Sequence, residues 1–521
     1  MDNLKEHFIK PLDEYIAKAR KICDHVGYDQ IAYTLIRLIN NSKCEAKCFT
    51  SVEQLANMYE YAHRNTERDA YQAMEATVHN LCTLASRAGA QVPFSSLNLG
   101  TCTSLEGRMV TRNLLLAVEA GLGYGETAIF PISIFKLKKG VNRAPGDPNY
   151  DLKKLALRVT AKRLFPNFLN LDAPYNLKYY KVGRPETEVT AMGCRTRTIS
   201  NIHDPSKEQV TGRGNLFFTT INLPYIALEV KQEAKDGDDI VNLFFNRLEE
   251  RLNDVVNLSM DRFNLIAKRK AKNYPFLMGQ HLYVGSDDLH PDDSIGEVIK
   301  HGSMTAGFIG LAETLVALTG KHHGESAEAQ ALGLKIVKYM NDFMTEVSER
   351  TKLNFGVMGS PAEGCSGRLL RLTRKKFGTI EGVTDKDYLT NSFHVPVAMQ
   401  LSAWDKIQIE APYHQYCPAG HISYLELDAD AVSNLDALET IVDTMCDNNM
   451  GYFAINHPVD RDPVCGYVGY FPDGVCPRCG RREGEGVPVS KLLSLRSYSP
   501  DPQYDARRES SAPTATLNLV E

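Results

Sequence analysis

Thr187-Glu-Val-Thr-Ala-Met-Gly-Cys-Arg-Thr-Arg-Thr198 is followed by Thr211-Gly-Arg-Gly-Asn215 and then by Leu216-Phe-Phe-Thr-Thr-Ile-Asn-Leu-Pro224. Cys194 sits between Gly193 and Arg195, and a glycine–arginine turn then feeds an apolar run. Glycine allows a sharp turn and close approach of the backbone to other atoms. Arginine binds phosphate through two parallel hydrogen bonds. A lone cysteine is more often a small buried hydrophobe than a nucleophile. Here the flanking residues favour a reactive thiol on a loop tip before a buried strand over 214–224.

Around this stretch the 521 residues have ordinary globular composition, 43% hydrophobic, with a formal charge of −5. Such a length can bury an ample core and suggests more than one domain, although α/β barrels break that rule. Mild acidity argues against a nucleic-acid surface. The densest basic runs, Lys268-Arg269-Lys270 and Arg374-Lys375-Lys376, read as solvated helix faces. The 12 cysteines show no disulfide rhythm. Met1-Asp2-Asn3-Leu4-Lys5-Glu6 is charged at once and does not read as a signal. No run of about 18 apolar residues suggests a membrane span. The expected setting is a reducing cytoplasm.

Apolar spacing predicts helices over 4–41 and from a capping box at Ser51 and Gln54 to about Ala88. It predicts further helices over 152–164 (capped by Asp151), 238–272, 304–318 and 326–351. Residues 91–107 read as strand and loop, and 421–427 and 451–456 as strands. Alternation of this kind predicts an α/β fold with a largely parallel sheet. Residues 487–521, without glycine or cysteine, read as too polar to pack. Cys476-Pro-Arg-Cys479, with Cys465 upstream, has metal-knuckle spacing.

Several long words resemble one family. They are the Cys194 stretch, Gly212-Arg-Gly-Asn-Leu216, Asn273-Tyr-Pro-Phe-Leu-Met-Gly279, and His301-Gly-Ser-Met-Thr-Ala-Gly-Phe-Ile-Gly-Leu-Ala-Glu-Thr-Leu315. Pro361-Ala-Glu-Gly-Cys-Ser-Gly-Arg368, Thr390-Asn-Ser-Phe-His-Val-Pro396 and Ile455-Asn-His-Pro-Val-Asp-Arg461 complete the set. Together they resemble the anaerobic (class III) ribonucleoside-triphosphate reductases, from about residue 70 to about 486.

The resemblance implies part of a ten-stranded α/β barrel of the glycyl-radical-enzyme type. It implies a helical N-terminal part (1–90), a catalytic core (91–456), a zinc module (457–486) and the polar tail (487–521). Reduction of ribose at its 2′ carbon needs radical chemistry. In the family a cysteine thiyl takes hydrogen from the ribose 3′ position, and Cys194 matches that cysteine. A glycyl radical, made by an iron–sulfur, S-adenosylmethionine-dependent activase, generates the thiyl. Ribonucleoside triphosphates as substrates, a homodimer and a place in deoxyribonucleotide supply for DNA replication are implied too. The flank Leu216-Phe217-Phe218 would exclude water.

Asn215 and Asn222 are suited to ribose hydroxyls or to a satisfied amide. Gly302 and Ser303, read as preceding a helix, could offer N–H groups to a triphosphate. His301, His394, Glu363 and Arg368 lie in family-like words without a role of their own. The family's C-terminal site holds zinc on four cysteines. Here Asp462 stands where the first is expected, leaving Cys465, Cys476 and Cys479, with Asp462 or His457 as fourth ligand.

The family's radical glycine lies in a word like Arg-Val-Cys-Gly-Tyr-Leu after the knuckles, yet no glycine follows Gly486. Gly466, in Val464-Cys-Gly-Tyr467, reads as a knuckle glycine instead. On the same resemblance, the family's N-terminal cone and the first part of its barrel are expected to be missing from this polypeptide. This polypeptide alone is therefore expected to resist activation. A different glycyl-radical enzyme and an inactive nucleotide-binding paralogue are the competing readings.

Overall fold

A computed structural model describes residues 52–84 and 92–485, except positions 194, 199, 363, 429 and 483; at 52–63 and 124 it describes the backbone alone. The expected helices before residue 52, the Ser51 cap and the tail beyond 485 lie outside the described residues, as do Cys194 and Glu363.

In chain order the first elements are α1 (Val52–Thr83), β1 (Ser96–Leu99), α2 (Leu105–Ala120), β2 (Ile132–Leu137), α3 (Tyr150–Arg163), β3 (Asn167–Asn170) and α4 (Pro174–Leu177). Then follow β4 (Asn215–Asn222), α5 (Leu223–Glu233), α6 (Ile240–Ala267), α7 (Gly296–Ile299), β5 (Ser303–Ile309), α8 (Leu311–Thr319), α9 (Ala327–Thr351) and β6 (Asn354–Gly359). The last are α10 (Cys365–Phe377), α11 (Ala403–His414), β7 (Ser423–Glu426), α12 (Leu435–Asp447), β8 (Tyr452–Asn456), β9 (Asp460–Arg461) and β10 (Val468–Gly469). Among the described residues no helix is long and apolar enough to cross a membrane.

Helix starts follow local chemistry. Asp239 caps α6 by accepting from the Asn242 N–H, and Ser326 caps α9 by accepting from the Ala329 N–H. The cap of α3 is Asn149, and Asp151 lies inside the first turn. The helix expected over 304–318 is instead strand β5, a turn at Gly310 and helix α8. All seven residues of β5 are buried, with Ser303, Thr305 and Gly307 on one face and Met304, Ala306 and Phe308 on the other. Its apolar residues run on into those of α8, so strand and helix read as one continuous segment. Gly310, with a positive φ of 78°, makes the break.

Two sheets form. In one, β1, β2 and β3 run parallel, β3 meets β8 antiparallel, and β8 pairs with β7 in parallel. In the other, β4, β5 and β6 are all parallel. Residues 419–420, just before β7, run alongside β6: the Ala419 N–H donates to Val357 O at 3.0 Å, and the Gly359 N–H donates to Gly420 O at 2.9 Å. The strands therefore follow one another as β1-β2-β3-β8-β7-β6-β5-β4, five in one direction and three in the other. The architecture is a mixed α/β fold.

Helices cover the outer faces. Phe244, Leu248 and Leu252 of α6 pack with Phe308 of β5 and with Ile336 and Met340 of α9. Leu115 of α2 and Leu157 of α3 pack on Phe135, Phe168 and Phe453. The inner face of the five-stranded sheet, through Ile134, Leu169 and Tyr452, packs on Val189 and Ala191, the approach to residue 194. At about 25 cal/mol per Å² such burial is the main favourable term in folding.

Close packing demands glycine at one strand position. A Cβ on Gly307 of β5 would lie 2.1 Å from Ser360 Oγ, which itself hydrogen-bonds to Thr220 Oγ1 at 2.8 Å. Gly307→Ala should cost about 1–3 kcal/mol by overpacking. In a Ser360→Ala background that cost should fall by at least about 0.5 kcal/mol. Denaturant unfolding of the four proteins measures both; equal costs in the two backgrounds would dismiss the clash.

The core also holds neutral histidines. His414 is fully buried; its Nδ1 accepts the Gly451 N–H at 3.1 Å, so Nε2 carries the proton and donates to Ser423 Oγ at 2.9 Å. Burial, with Arg197 nearby, lowers its pKa to about 3. Burial likewise lowers His323 to about 4. Their folded values lie below the unfolded value of about 6.5. The stability they contribute is present above pH ~6.5 and lost as pH falls through the folded values. Unfolding free energy should drop between about pH 6.5 and 4, by up to about 1.4 kcal/mol per pH unit for each histidine. Replacing His323 by Asn should flatten that slope; an unchanged slope would contradict the burial argument.

The cysteine hairpin and the four-ligand cluster

The residues flanking position 194 form a tight hairpin. Its stem is closed by the Met192 N–H donating to Thr196 O at 2.7 Å, with Gly193 at a positive φ of 54°. One arm is tied to β1: Asn98 exchanges two hydrogen bonds with the Ala191 backbone, at 2.9 and 3.1 Å, and Ser96 Oγ accepts from the Gly193 N–H at 3.2 Å. The other arm pairs with the β6–β7 side, where the Arg197 N–H donates to Ala419 O at 2.8 Å.

Two arginines lock this arm. Arg195 is 2% exposed and donates through Nη1 to Ser360 O at 3.1 Å and Asn391 Oδ1 at 3.2 Å. Arg197 is 1% exposed and donates to Asn176 Oδ1 at 2.6 Å and Pro418 O at 3.2 Å. Burial lowers the pKa of Arg197. Neither guanidinium is displayed to solvent as a phosphate clamp would be; both are spent on carbonyl oxygens. Cys194 itself lies outside the described residues.

Asn215 starts β4 beside a register shift and donates to Ser303 Oγ and Thr305 Oγ1, each at 3.3 Å. Asn222 ends the same strand as the cap of α5: Oδ1 accepts the Tyr225 N–H, and Nδ2 donates to Thr373 Oγ1 at 2.9 Å. The Gly302 N–H donates to Ile299 O and the Ser303 N–H to Gly214 O, each at 3.0 Å. The helix start that motivated a phosphate role for this pair lies instead at Leu311. His301 is buried and neutral, with Nδ1 2.9 Å from Asn201 Nδ2; burial, then the neighbouring His203, Lys207 and Arg213, lowers its pKa to about 4. Arg368 is exposed on α10.

A small cleft is lined by Thr390, Asn391, His394, Lys406, Tyr424 and Glu426, among others. Its wall is polar far into the fold. Ser423 Oγ donates to Glu410 Oε2 at 2.7 Å, and the Val395 N–H donates to Oε1 at 3.1 Å. Glu410 is fully buried, and burial raises its pKa. Asn391, the residue that holds Arg195, joins this cleft to the hairpin. The sequence word 390–396 flagged the region, but nothing in it marked Asn391 as an arginine anchor.

The second site is a cluster at the C-terminal end of the described chain. Donor atoms of Asp462, Cys465, Cys476 and Cys479 all lie within 4.8 Å of one another, so the cluster could hold a metal ion. His457 is not part of it; its Nε2 lies 2.9 Å from Thr160 O. The cluster is made of two matching turns. The Asp462 N–H donates to Tyr467 O and the Gly466 N–H to Asp462 O, each at 2.9 Å. The Cys476 N–H donates to Arg481 O and the Gly480 N–H to Cys476 O, each at 2.8 Å. Gly466 and Gly480 share positive φ values of 72° and 75°. Asp462 thus occupies in the first turn the place of Cys476 in the second, and Gly466 is a turn glycine. The Asp462 carboxyl is 1% exposed. Against burial, the Cys465 and Val464 N–H groups, Arg481 and Cys479 hold its pKa down to about 2.

The sequence profile described as anaerobic ribonucleoside-triphosphate reductase matches residues 10–490. The anaerobic ribonucleoside-triphosphate reductase of Salmonella typhimurium is 34% identical over 457 residues, covering 86% of this chain and 61% of that protein. The one from enterobacteria phage T4 is 35% identical over 437 residues, covering 82% and 68%. Among solved structures, an anaerobic ribonucleotide reductase superposes with a TM-score of 0.60 at 14% identity, over 92% of this chain and 71% of its own. The Thermotoga maritima anaerobic ribonucleotide reductase in complex with dATP and CTP gives 0.55 at 13% identity, over 92% and 73%. The chain spans about three fifths of the length of the bacterial relatives it matches. Fold, motifs and a profile match across most of its residues agree: this chain belongs to the anaerobic ribonucleoside-triphosphate reductase family.

Proposed function

We propose that this chain is the thiyl-radical core of a reductase converting ribonucleoside triphosphates to deoxyribonucleoside triphosphates without oxygen. Cys194 takes the 3′ hydrogen of the ribose and later returns it. The 2′ hydroxyl leaves as water, and an external reductant supplies two electrons and two protons. Asn215 is the polar side chain assigned to the ribose. Asn222, Gly302 and Ser303 are left out: Asn222 caps α5 and donates to Thr373, and the Gly302 and Ser303 N–H groups donate to backbone carbonyls, whereas the Asn215 amide donates to the Ser303 and Thr305 hydroxyls.

The observation that carries this reading is the hairpin held between the two sheets by Arg195 and Arg197. A hydrogen-abstracting sulfur needs fixed placement and shielding from water. The strand order supports a barrel: five strands run one way and three the other, and β1 and β4 each have one side without a strand partner among the described residues. Two more strands parallel to β1 would close a ring of ten. The partners we propose are the activase, a second copy of the chain and the nucleotide. Free thiols at Cys82, Cys417 and Cys446 suit a reducing cytoplasm.

Three thiols and a carboxylate fit a structural zinc on Cys465, Cys476, Cys479 and Asp462. When bound, the metal would supply folding energy to the module rather than chemistry on the nucleotide.

Two outcomes are expected. Elemental analysis of the purified chain should give one zinc per polypeptide, and Cys476→Ser should lose the metal and expose residues 457–485 to protease. A folded protein without zinc would end the metal reading. For the reaction, the chain carrying a grafted Arg-Val-Cys-Gly-Tyr-Leu word is activated anaerobically with S-adenosylmethionine and an activase. A glycyl doublet and deoxynucleotide product are expected, with product falling to background in Cys194→Ala while the doublet persists. Product from the Cys194→Ala protein would refute the thiyl assignment.

A further inference from the structure

The cluster of Asp462, Cys465, Cys476 and Cys479 contains an asymmetry that its two matching turns make visible. Each turn presents its first ligand in the same backbone frame. In the second turn that ligand is a thiol, and in the first it is a carboxylate. A carboxylate has two oxygens, so it must be told which one faces the metal.

The structure separates them. Asp462 Oδ1 points back into its own turn, accepting the Val464 N–H at 2.7 Å and the Cys465 N–H at 2.8 Å. Asp462 Oδ2 points to the thiols, 3.4 Å from Cys479 Sγ. The same Oδ2 receives Arg481 Nε at 2.9 Å. Arg481 belongs to the other turn, where its carbonyl closes the frame by accepting the Cys476 N–H. Its side chain then crosses to the first turn, and Nη2 is steadied on Glu485 O at 3.1 Å. One residue thus closes one turn with its backbone and holds the odd ligand of the other with its guanidinium.

Charge argues the same way. Three thiolates and a carboxylate carry four negative charges against the two of a divalent cation. An adjacent guanidinium offsets part of the excess, and loss of a group that orients a metal ligand typically costs roughly 10–100-fold in affinity. A carboxylate is also a harder and more weakly held ligand for zinc than a thiolate.

We infer that Arg481 is the positioning residue of a three-thiolate, one-carboxylate metal centre: it fixes Asp462 as a single-oxygen ligand through Oδ2 and slows release of the ion. The inference rests on the metal reading of the preceding section and adds to it a ligand set and a residue that controls it.

The test uses the full chain loaded with zinc or with cobalt(II). Release of zinc to a chromophoric chelator is timed for the wild type, Arg481→Ala and Arg481→Lys. Arg481→Ala keeps the backbone carbonyl that closes the turn, so the module retains its frame. Release should accelerate roughly 10–100-fold in Arg481→Ala, with Arg481→Lys in between, since lysine keeps the charge but not the planar fork. Cobalt(II) spectra read the ligands directly: thiolate-to-cobalt charge transfer should be that of three thiolates in the wild type and grow in Asp462→Cys. The visible bands should change in Asp462→Ala, where water replaces the carboxylate. Wild-type release rates in Arg481→Ala, or a cobalt spectrum indifferent to Asp462→Ala, would overturn the inference while leaving the metal reading intact. A wild-type chain that takes up neither ion would overturn both.

Discussion

The placement of Arg195 and Arg197 is the constraint on which the centre of this molecule depends. An ionised group buried without partners costs several kcal/mol, so a guanidinium enters a protein interior only where oxygens wait for it. Here those oxygens come from distant elements: Ser360 after β6, Asn391 above the cleft, Asn176 on α4 and Pro418 before β7. None can be supplied by the hairpin itself. The hairpin can therefore adopt its position only when both sheets are in place, and once seated it joins them. Position 194 is flanked by residues whose backbone is tied to β1 on one side and to residue 419 on the other.

The rest of the interior is organised around the same requirement. Strands buried on both faces carry apolar residues outward to the helices and inward to the segment 189–191. One set of interior polar groups is satisfied in series. The Gly451 N–H fixes the tautomer of His414, His414 donates to Ser423, and Ser423 donates to Glu410. Each member has its donor or acceptor assigned by the one before it, so the chain is directional. A series of this kind stiffens the wall behind the cleft, because loss of any one member leaves a buried polar group unsatisfied.

The C-terminal module follows a separate logic. Its shape comes from two turns and four converging side chains that could hold a metal ion. A metal bound there would add folding energy to the module. Exchange of one thiol for Asp462 preserves the formal charge of the ligand set but introduces a second oxygen, and with it the need for the Val464 and Cys465 N–H groups and Arg481.

Much of this was legible in the chain itself. Knuckle spacing named Cys465, Cys476 and Cys479, and the word around Cys194 named the family, because local turns and contiguous motifs are written in adjacent residues. Helices α6 and α9 were legible for the same reason: their caps and apolar stripes are local. Strand β5 was not, since its apolar residues run on into those of α8 and only the turn at Gly310 separates them. Nor were the roles of the polar residues. Nothing in the word around Cys194 marked Arg195 and Arg197 as anchors, and Asn222, read as a ribose ligand or a satisfied amide, caps a helix. Sequence determines what a side chain is able to donate or accept. Which group it meets is decided by strands brought together from 100 or more residues away, and only the folded chain contains that information.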